Sequence, residues 1–331
     1  MVVAEISANH NGSLNRALET ITAAKRCGAD AVKIQTYKPE TMTVDSNLPD
    51  FILSGGPWAG SKLYDLYKKA HTPYEWHPRL FEHAHNIGIP LFSTPFDETA
   101  IELLEKLGNP AYKISSFELV DLPLIQRAAR TGKPLILSTG MGSPGEIQEA
   151  VNTARAAGCQ DLMLLHCISS YPAPMDQANL RLIPRLKERY QVEVGLSDHT
   201  RGTMAAVAAV ALGALMIEKH FTLSRLEKGP DSEFSMEPPE METLSREVHE
   251  TFDALGTGSF SRPAAEEESR KIRRSLYIVE DIRAGEILTP ANVRSIRPGM
   301  GLPAKFLHEC LGKKARVDLK KGTPLQKDHL G

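Results

Sequence analysis

The sequence predicts an α/β fold in which eight parallel strands and their helices close into a (β/α)8 (TIM) barrel, followed by a small β-rich domain. Short apolar runs, each the length of one buried strand, recur eight times between Met1 and Phe221, with helix-like segments between them. After about Leu255 the pattern changes to short β-like runs that are broken by turns. We therefore expect a barrel domain over residues 1–255, a linker over 256–274 and a β-rich domain over 275–331.

The eight apolar runs alternate with segments of helical spacing, several of which end in glycine, the usual helix stop. This repeated alternation favours a closed barrel. An open doubly wound sheet is the alternative, but no strand carries a Gly-x-Gly-x-x-Gly turn and every strand end bears polar residues. The runs are Val2–Ile6, Ala31–Thr36, Pro90–Ser93, Ala111–Ser115, Pro134–Ser138, Asp161–Cys167, Val192–Leu196 and Leu215–Lys219.

Composition and charge argue against several classes of partner. The chain has 331 residues, 41% hydrophobic and 24% charged, with a net charge of −2. These values are typical of a globular protein with no electrostatic reason to bind nucleic acid or an anionic membrane. No apolar run approaches membrane-spanning length, and the start of the chain lacks the features of a signal peptide. Four cysteines without a Cys-x-x-Cys pair indicate reduced thiols, so we expect a cytoplasmic protein.

The stretch from Val194 to Phe221 is the centre of the functional prediction. Its two apolar runs flank an Ala-rich helical segment and end in the polar clusters Ser197-Asp198-His199 and Glu218-Lys219-His220. The carboxyl ends of parallel strands form the ligand face of such a fold, so the two imidazoles should converge there. They are either metal ligands or hydrogen-bonded structural residues, and the pair alone leaves both interpretations open.

The other strand ends also carry polar groups. A lysine in a strand interior requires an anionic partner, and Lys33 and Lys113 both stand at the ends of apolar strands beside small hydroxyls. A phosphate or carboxylate site is therefore indicated, with a purely structural polar network as the alternative, and its donors would be Lys33, Lys113, Ser116, Ser138 and Ser197. The strand-end groups are Glu5, Lys33 with Gln35, Thr94 with Asp97, Lys113 with Ser116, Ser138 with Thr139, and Ser169-Ser170-Tyr171.

Two connecting segments are also candidates for the ligand face. The connection between Tyr37 and His77 is long and contains both tryptophans, Trp58 and Trp76. Long loops in compact domains often form lids or binding segments, although a surface helix anchored by aromatic residues would also fit. Asp231, in the Gly-Pro-Asp sequence after the eighth strand, is a further candidate, while most such sequences are only turns.

These residues resemble the sialic acid synthase family. The tail resembles the antifreeze-like (SAF, β-clip) domain of that family, and the match covers nearly the whole chain in order. The barrel motifs are Ala4–Gly12, Val32–Tyr37, Ser93–Asp97, Lys113–Ser116, Leu137–Met141, Gly195–Thr200, Glu218–Phe221 and Gly229–Asp231. The tail motifs are Arg274–Tyr277, Asp281-Ile282, Gly285-Glu286 and Arg297–Gly299.

Within the family the chain is most similar to the pseudaminic acid synthase subfamily. The similarity lies in the segments Trp58–Tyr67, Thr72–Trp76 and Asp231–Pro238. Ser169 stands where N-acetylneuraminate synthases usually carry an asparagine, which argues against that product. Tyr74 departs from the subfamily pattern, which has a tryptophan there.

The resemblance implies condensation of phosphoenolpyruvate with the open aldehyde form of an acetamido sugar. Glu5 is then the expected base for the attacking water, and Asp231, His199 and His220 are the other catalytic candidates. Phosphoenolpyruvate would be bound by Lys33, Thr94, Lys113, Ser116, Ser138 and Ser197. The sugar would contact Tyr171, Arg297, Trp58 and Trp76.

The resemblance also implies a metal ion and a particular assembly. His199 and His220 would hold a divalent ion that polarises the sugar aldehyde. Two neutral nitrogen ligands with open positions suit Mn²⁺, the preferred assignment, with Mg²⁺ and Co²⁺ as alternatives. In this family the small domain caps the barrel of the partner subunit, so we expect a domain-swapped homodimer.

Two other functions are compatible with the sequence. The first is an N-acetylneuraminate or legionaminate synthase, which would perform the same chemistry on a different sugar. The second is a carbohydrate-binding protein whose barrel has no catalytic activity, although the full set of strand-end donors argues against it.

Overall fold

Eight parallel strands, β1 to β8, close into a barrel in sequence order, with β1 paired to both β2 and β8. The computed structural model describes every residue from Met1 to Gly331. It confirms the predicted barrel, because the pairing of β1 with β8 excludes an open sheet. The strands are Val2–Glu5, Ala31–Thr36, Leu91–Pro95, Tyr112–Ile114, Leu135–Ser138, Leu162–Cys167, Glu193–Asp198 and Ile217–His220.

Helices connect the strands, and several begin at side-chain caps that the sequence supplies. Ser13, Asp97, Asp121 and Ser143 each accept a hydrogen bond from a backbone N–H of the first helical turn. No helix of the chain is long and apolar enough to span a membrane. The helices α1 to α12 are Leu14–Arg26, Pro39–Met42, Leu63–Ala70, His77–Ile87, Glu98–Lys106, Leu122–Ala129, Pro144–Ala156, Leu182–Tyr190, Met204–Ala211, Pro238–Leu255, Glu267–Lys271 and Leu307–Cys310.

The interior of the barrel is apolar at one end and polar at the other. Val3, Phe92, Leu165 and Met216 belong to a small buried cluster at the amino-terminal end of the strands. Side chains alternate along a strand, so Glu5 faces the same interior as Val3, two residues closer to the carboxyl end. The main core fills the layer between strands and helices. The fold thus leaves the polar chemistry at the carboxyl end.

The chain divides into two compact units, Met1–Gly256 and Thr257–Gly331. The second contains the antiparallel strands β9 (Ser275–Ile278) and β10 (Val293–Ile296), packed around a small apolar core of its own. This confirms the predicted small β-rich domain. Many of its other backbone pairings are isolated bridges, such as the bridge between Ala315 and Leu330.

Candidate active site at the carboxyl end of the barrel

A cavity of about 440 Å³ opens at the carboxyl ends of the strands. Active sites of (β/α)8 barrels lie at this end. The cavity brings together twelve of the fourteen site residues expected from the sequence. They are Glu5, Lys33, Trp58, Thr94, Lys113, Ser116, Ser138, Tyr171, Ser197, His199, His220 and Asp231.

A larger cavity of about 850 Å³ lies at the opposite end of the barrel. It is lined by the first residues of the strands, among them Ala31, Leu135 and Leu162, and it contains none of the expected site residues. Because the titratable groups converge at the carboxyl end, we take the smaller cavity as the functional one.

Two lysines and two glutamates form a buried charged cluster on the floor of the cavity. Lys33 Nζ lies 2.6 Å from Glu5 Oε2 and 3.6 Å from Glu218 Oε1, and Lys113 Nζ lies 3.4 Å from the same Glu218 oxygen. Burial opposes ionisation of Lys33, yet Glu218 and Glu5 outweigh it and raise the pKa of Lys33. Burial lowers the pKa of Lys113. The cluster is therefore held together by mutual neutralisation of side chains that are almost completely buried.

The two glutamates differ in their preferred protonation. Burial raises the pKa of Glu5, and the attraction of Lys33 only partly offsets it. Burial acts in the same direction on Glu218, but Lys113 and Lys33 together lower the pKa of that carboxyl. Glu218 is the counter-ion of the lysines, whereas Glu5 takes up a proton more readily, as a general acid–base group must.

Small hydroxyls line the same cavity as the lysines. Lys33 Nζ donates to Thr94 Oγ1 at 3.0 Å, and Ser116 Oγ accepts from the backbone N–H of Gly140 at 3.0 Å. Ser197 Oγ donates to Glu218 Oε1 at 3.5 Å. Ser138 Oγ is buried without a hydrogen-bond partner. A buried hydroxyl that lacks a partner, in a cavity that also contains two ammonium groups, suits the binding of an anion.

His199 and His220 face each other with ring centroids 5.4 Å apart. His199 Nδ1 lies 3.0 Å from the carbonyl oxygen of Ile168, so it donates there and leaves Nε2 available. Burial holds the pKa of His220 well below its ordinary value, so this ring is neutral, and its Nδ1 is buried without a partner. Burial opposes the charge on His199, but the adjacent Cys167 raises its pKa.

The histidine pair fits a divalent ion that is only partly coordinated by protein. Neutral imidazole nitrogens are common metal ligands, and His220 has one with no other partner. The chain offers no group of three or more His, Cys, Asp and Glu side chains arranged to hold a metal. An ion here would therefore complete its coordination with water and substrate, unlike a closed structural site.

Asp231 is held at the rim by the turn that follows β1. Its Oδ2 accepts from the backbone N–H of Ala8 at 3.2 Å and from the hydroxyl of Ser7. Burial raises the pKa of Asp231, and these two hydrogen bonds oppose that rise. The loop after β8 thus adds a further carboxyl group to the cavity.

Aromatic and aliphatic side chains form the outer wall. The Tyr171 ring lies 4.3 Å from the His199 ring, and Phe234 lies 5.0 Å from His220. Trp58 packs 5.6 Å from Tyr171 and donates from Nε1 to Pro230 O at 2.8 Å. The long segment after β2 supplies further side chains of the wall, namely Met42, Leu53, Leu63, Leu66 and Tyr67.

The structure places two of the expected residues outside this cavity. Trp76 lies in a short turn before α4 and packs edge-on against His10, with ring centroids 5.4 Å apart. The ring also packs against the main core, and sugar contact by Trp76 stays a prediction. Arg297 follows β10 in the second unit, where its side chain is exposed.

Glu218 is a cavity residue that was not among the site residues expected from the sequence. Glu218 lies two residues before His220 on β8, so both side chains face the cavity. Lys219, between them, faces the other way and pairs with Asp198 at 2.6 Å in the layer outside the barrel. The period of two along β8 is the signal that could have assigned Glu218 to the site.

A closed barrel with charged groups and a histidine pair at its carboxyl end has the architecture of a (β/α)8 enzyme. The NeuB family matches residues 20–260, and the SAF domain matches residues 273–331. The chain belongs to the NeuB family, which confirms the resemblance to sialic acid synthases.

Individual relatives agree with this placement. The chain is 46% identical over 330 residues to the pseudaminic acid synthase of Helicobacter pylori, covering 99% of this chain and 97% of the relative. It is 46% identical over 325 residues to the pseudaminic acid synthase of Campylobacter jejuni, covering 98% and 95%. Its structure is similar to that of an N-acetylneuraminic acid synthetase from Leptospira borgpetersenii. That comparison gives a TM-score of 0.73 and 34% identity and covers 81% of this chain and 89% of the other.

Proposed function

We propose that this protein has the activity of a pseudaminic acid synthase. It condenses phosphoenolpyruvate with an open-chain 2,4-diacetamido-2,4,6-trideoxy hexose of the altrose type and water, giving a nine-carbon nonulosonic acid and phosphate. Relatives of that name are 46% identical over nearly the whole chain. The observation that most directly supports this activity is a buried charged cluster in the same cavity as the paired histidines. The cluster consists of Lys33, Lys113, Glu5 and Glu218.

Phosphoenolpyruvate is the ligand that the floor of the cavity fits. Its phosphate and carboxylate require several cationic and hydroxyl donors at close range. Lys33 and Lys113 supply the charge, and the hydroxyls of Thr94, Ser116, Ser138 and Ser197 line the same cavity. The outer wall of aromatic and aliphatic side chains suits a deoxygenated sugar with acetamido methyl groups.

The reaction needs one carbon–carbon bond and one proton acceptor for water. Carbon three of phosphoenolpyruvate attacks the aldehyde carbon of the sugar, whose oxygen gains a proton. Water adds to the cation at carbon two, and the carbon–oxygen bond to phosphate then breaks to leave a ketone. Glu5 is the base for that water, since burial raises its pKa. Asp231, whose pKa burial also raises, is the group we assign to the proton on the aldehyde oxygen.

A divalent ion is part of this proposal. Synthases of this family are metal-dependent in general. His199 and His220 would hold the ion, with Mn²⁺ preferred and Mg²⁺ and Co²⁺ as alternatives. When bound, it would supply Lewis-acid polarisation of the aldehyde oxygen.

We further propose that the enzyme is a domain-swapped homodimer in the cytoplasm. The four cysteines are free and buried, which suits a reducing compartment. Arg297 of one subunit would reach the sugar in the barrel of the other, as the family resemblance implies. Mixing His199→Ala with Arg297→Ala subunits tests this arrangement. Random exchange should restore roughly a quarter of the sites in a two-fold dimer, whereas a tail that serves its own barrel restores none.

The substrate is tested by a panel of sugars supplied with phosphoenolpyruvate and Mn²⁺, with release of inorganic phosphate as the readout. The panel contains the altrose-type diacetamido sugar, the isomer required for legionaminate and N-acetylmannosamine. We expect turnover to be highest with the first. Preference for either of the other two sugars would reassign the substrate. If no sugar of the panel leads to phosphate release, the proposed synthase activity is wrong.

A further inference from the structure

Ser7 occupies a backbone conformation that favours glycine. It begins the short turn after β1, and its φ of 47° lies in the left-handed region, where a Cβ is unfavourable. The residue is buried, with 5% of its surface exposed, and it lines the cavity. A side chain that costs stability at this position calls for an explanation in what its hydroxyl contacts.

The hydroxyl of Ser7 joins two parts of the catalytic cavity. It donates to Asp231 Oδ2, on the loop after β8, and accepts from Gln35 Nε2, on β2, at 3.0 Å. The same Gln35 nitrogen donates to Glu5 Oε1 at 3.0 Å. A continuous hydrogen-bonded chain therefore runs from Glu5 through Gln35 and Ser7 to Asp231.

We propose that Ser7 is a positioning residue that fixes the carboxyl groups of Glu5 and Asp231 relative to each other. The proposal rests on the proposed function, in which these two carboxyls handle the protons of water and of the sugar aldehyde. Ser7 makes no hydrogen bond to the buried lysines, so it acts on these proton transfers and not directly on the binding of phosphoenolpyruvate. A small displacement of a catalytic group is enough to lower turnover by up to about a hundredfold.

Two substitutions of Ser7 distinguish the effect of losing the hydroxyl from the effect of the backbone conformation. Ser7→Gly removes the hydroxyl and relieves the left-handed conformation, whereas Ser7→Ala removes the hydroxyl and keeps the unfavourable Cβ. We expect both to lower kcat/KM for the sugar by about tenfold or more. The KM for phosphoenolpyruvate should stay within about twofold of the parent value, since the lysines are unchanged. The Tm of the glycine variant should exceed that of the alanine variant by roughly 2 °C.

Gln191→Gly is the matched control. Gln191 also has a positive φ, 51°, but it is exposed at the end of α8 and lines the cavity at the amino-terminal end of the barrel. This change relieves the same kind of backbone conformation without touching the catalytic cavity. We expect it to leave all kinetic constants at parental values.

The outcomes are distinguishable. A parent that turns over no sugar overturns the proposed function and this proposal with it. With an active parent, parental kcat/KM in Ser7→Gly overturns the role of Ser7 alone. Loss of activity in the alanine variant only, or a large rise in the KM for phosphoenolpyruvate in both, would also overturn it, because backbone strain or a general distortion would then be the cause.

Discussion

Lys113 Nζ and Glu218 Oε1 lie 3.4 Å apart although they belong to β4 and β8, which are not neighbours in the barrel. The ion pair therefore crosses the barrel interior and does not run along its wall. Lys33 approaches the same oxygen at 3.6 Å, so one carboxylate serves two ammonium groups. Glu218 therefore neutralises both buried ammonium groups, and Glu5 adds a second, closer partner for Lys33 at 2.6 Å.

Replacing that glutamate tests its role as counter-ion. Glu218→Gln leaves two buried lysines without their shared carboxylate, so the free energy of unfolding should fall by about 3 kcal/mol. Inorganic phosphate should recover part of the loss, because an anion that binds only the folded state stabilises it. Urea denaturation with and without phosphate measures both effects. The exposed Glu250→Gln change is the control, with an expected loss below about 1 kcal/mol, and an equal loss in the two variants would contradict the prediction.

Substituting the buried lysines should affect the KM for phosphoenolpyruvate only where the side chain faces the cavity. Lys33→Ala and Lys113→Ala should each raise the KM for phosphoenolpyruvate by about tenfold or more, because each removes a charge-assisted contact. Arginine at either position should restore little, since a planar guanidinium does not replace a compact ammonium. Lys219→Ala, on the outer face of β8, should lower stability and leave that KM unchanged in the folded protein. Steady-state kinetics and thermal unfolding distinguish the two classes.

Metal removal should abolish activity reversibly. Chelation of the parent should stop phosphate release, and Mn²⁺ should restore it. His199→Ala and His220→Ala should each lose most activity and also lose Mn²⁺ binding in equilibrium dialysis, while their circular dichroism stays parental. His308→Ala, at an exposed position of the second unit, is the control. Full turnover after exhaustive chelation would rule out the metal.

The two tryptophans should respond differently to the sugar. Trp58 lines the cavity and contacts Tyr171, whereas Trp76 packs against His10 outside it. Sugar added to protein that is loaded with phosphoenolpyruvate and Mn²⁺ should change the fluorescence of the parent and of Trp76→Phe. The change should be absent in Trp58→Phe. A signal that depends on Trp76 would show that the sugar binds elsewhere.

Stability should fall as the pH drops below the ordinary pKa of histidine. Burial lowers the pKa of His77 from 6.5 to about 4, so the folded protein keeps this ring neutral while the unfolded chain takes up a proton. Its contribution to stability is therefore lost progressively between about pH 6.5 and pH 4, at about 1.4 kcal/mol per pH unit. His77→Gln should flatten the pH dependence of the unfolding free energy by that amount. Identical slopes for the parent and His77→Gln would contradict the assignment.

The sequence was sufficient for the features that depend on periodicity. Eight apolar runs became eight strands, and polar residues at their ends met in one cavity because parallel strands share a direction. The sequence was not sufficient to place the side chains of long connections relative to the cavity. The segment between β2 and α4 brings Trp58 over the cavity and leaves Trp76 outside it, and nothing in the local pattern distinguishes the two rings.

The role of Ser7 was also beyond sequence reasoning. Its partners, Gln35 and Asp231, are distant in the chain, and the left-handed backbone at Ser7 has no signature in its residue type. Glu218 differs, since the period of two along β8 could have assigned it.

Because side chains alternate along β8, the number of residues that precede a position decides which face of the strand its side chain occupies. Odd and even positions serve separate purposes, with Glu218 and His220 committed to chemistry and Lys219 committed to architecture through Asp198. Deleting one residue upstream would move each side chain to the opposite face, placing an ammonium group among the lysines and a histidine in the helix layer. Length changes in this strand can then be tolerated only in steps of two residues. A single-residue deletion would remove the active site without altering the composition of the strand end.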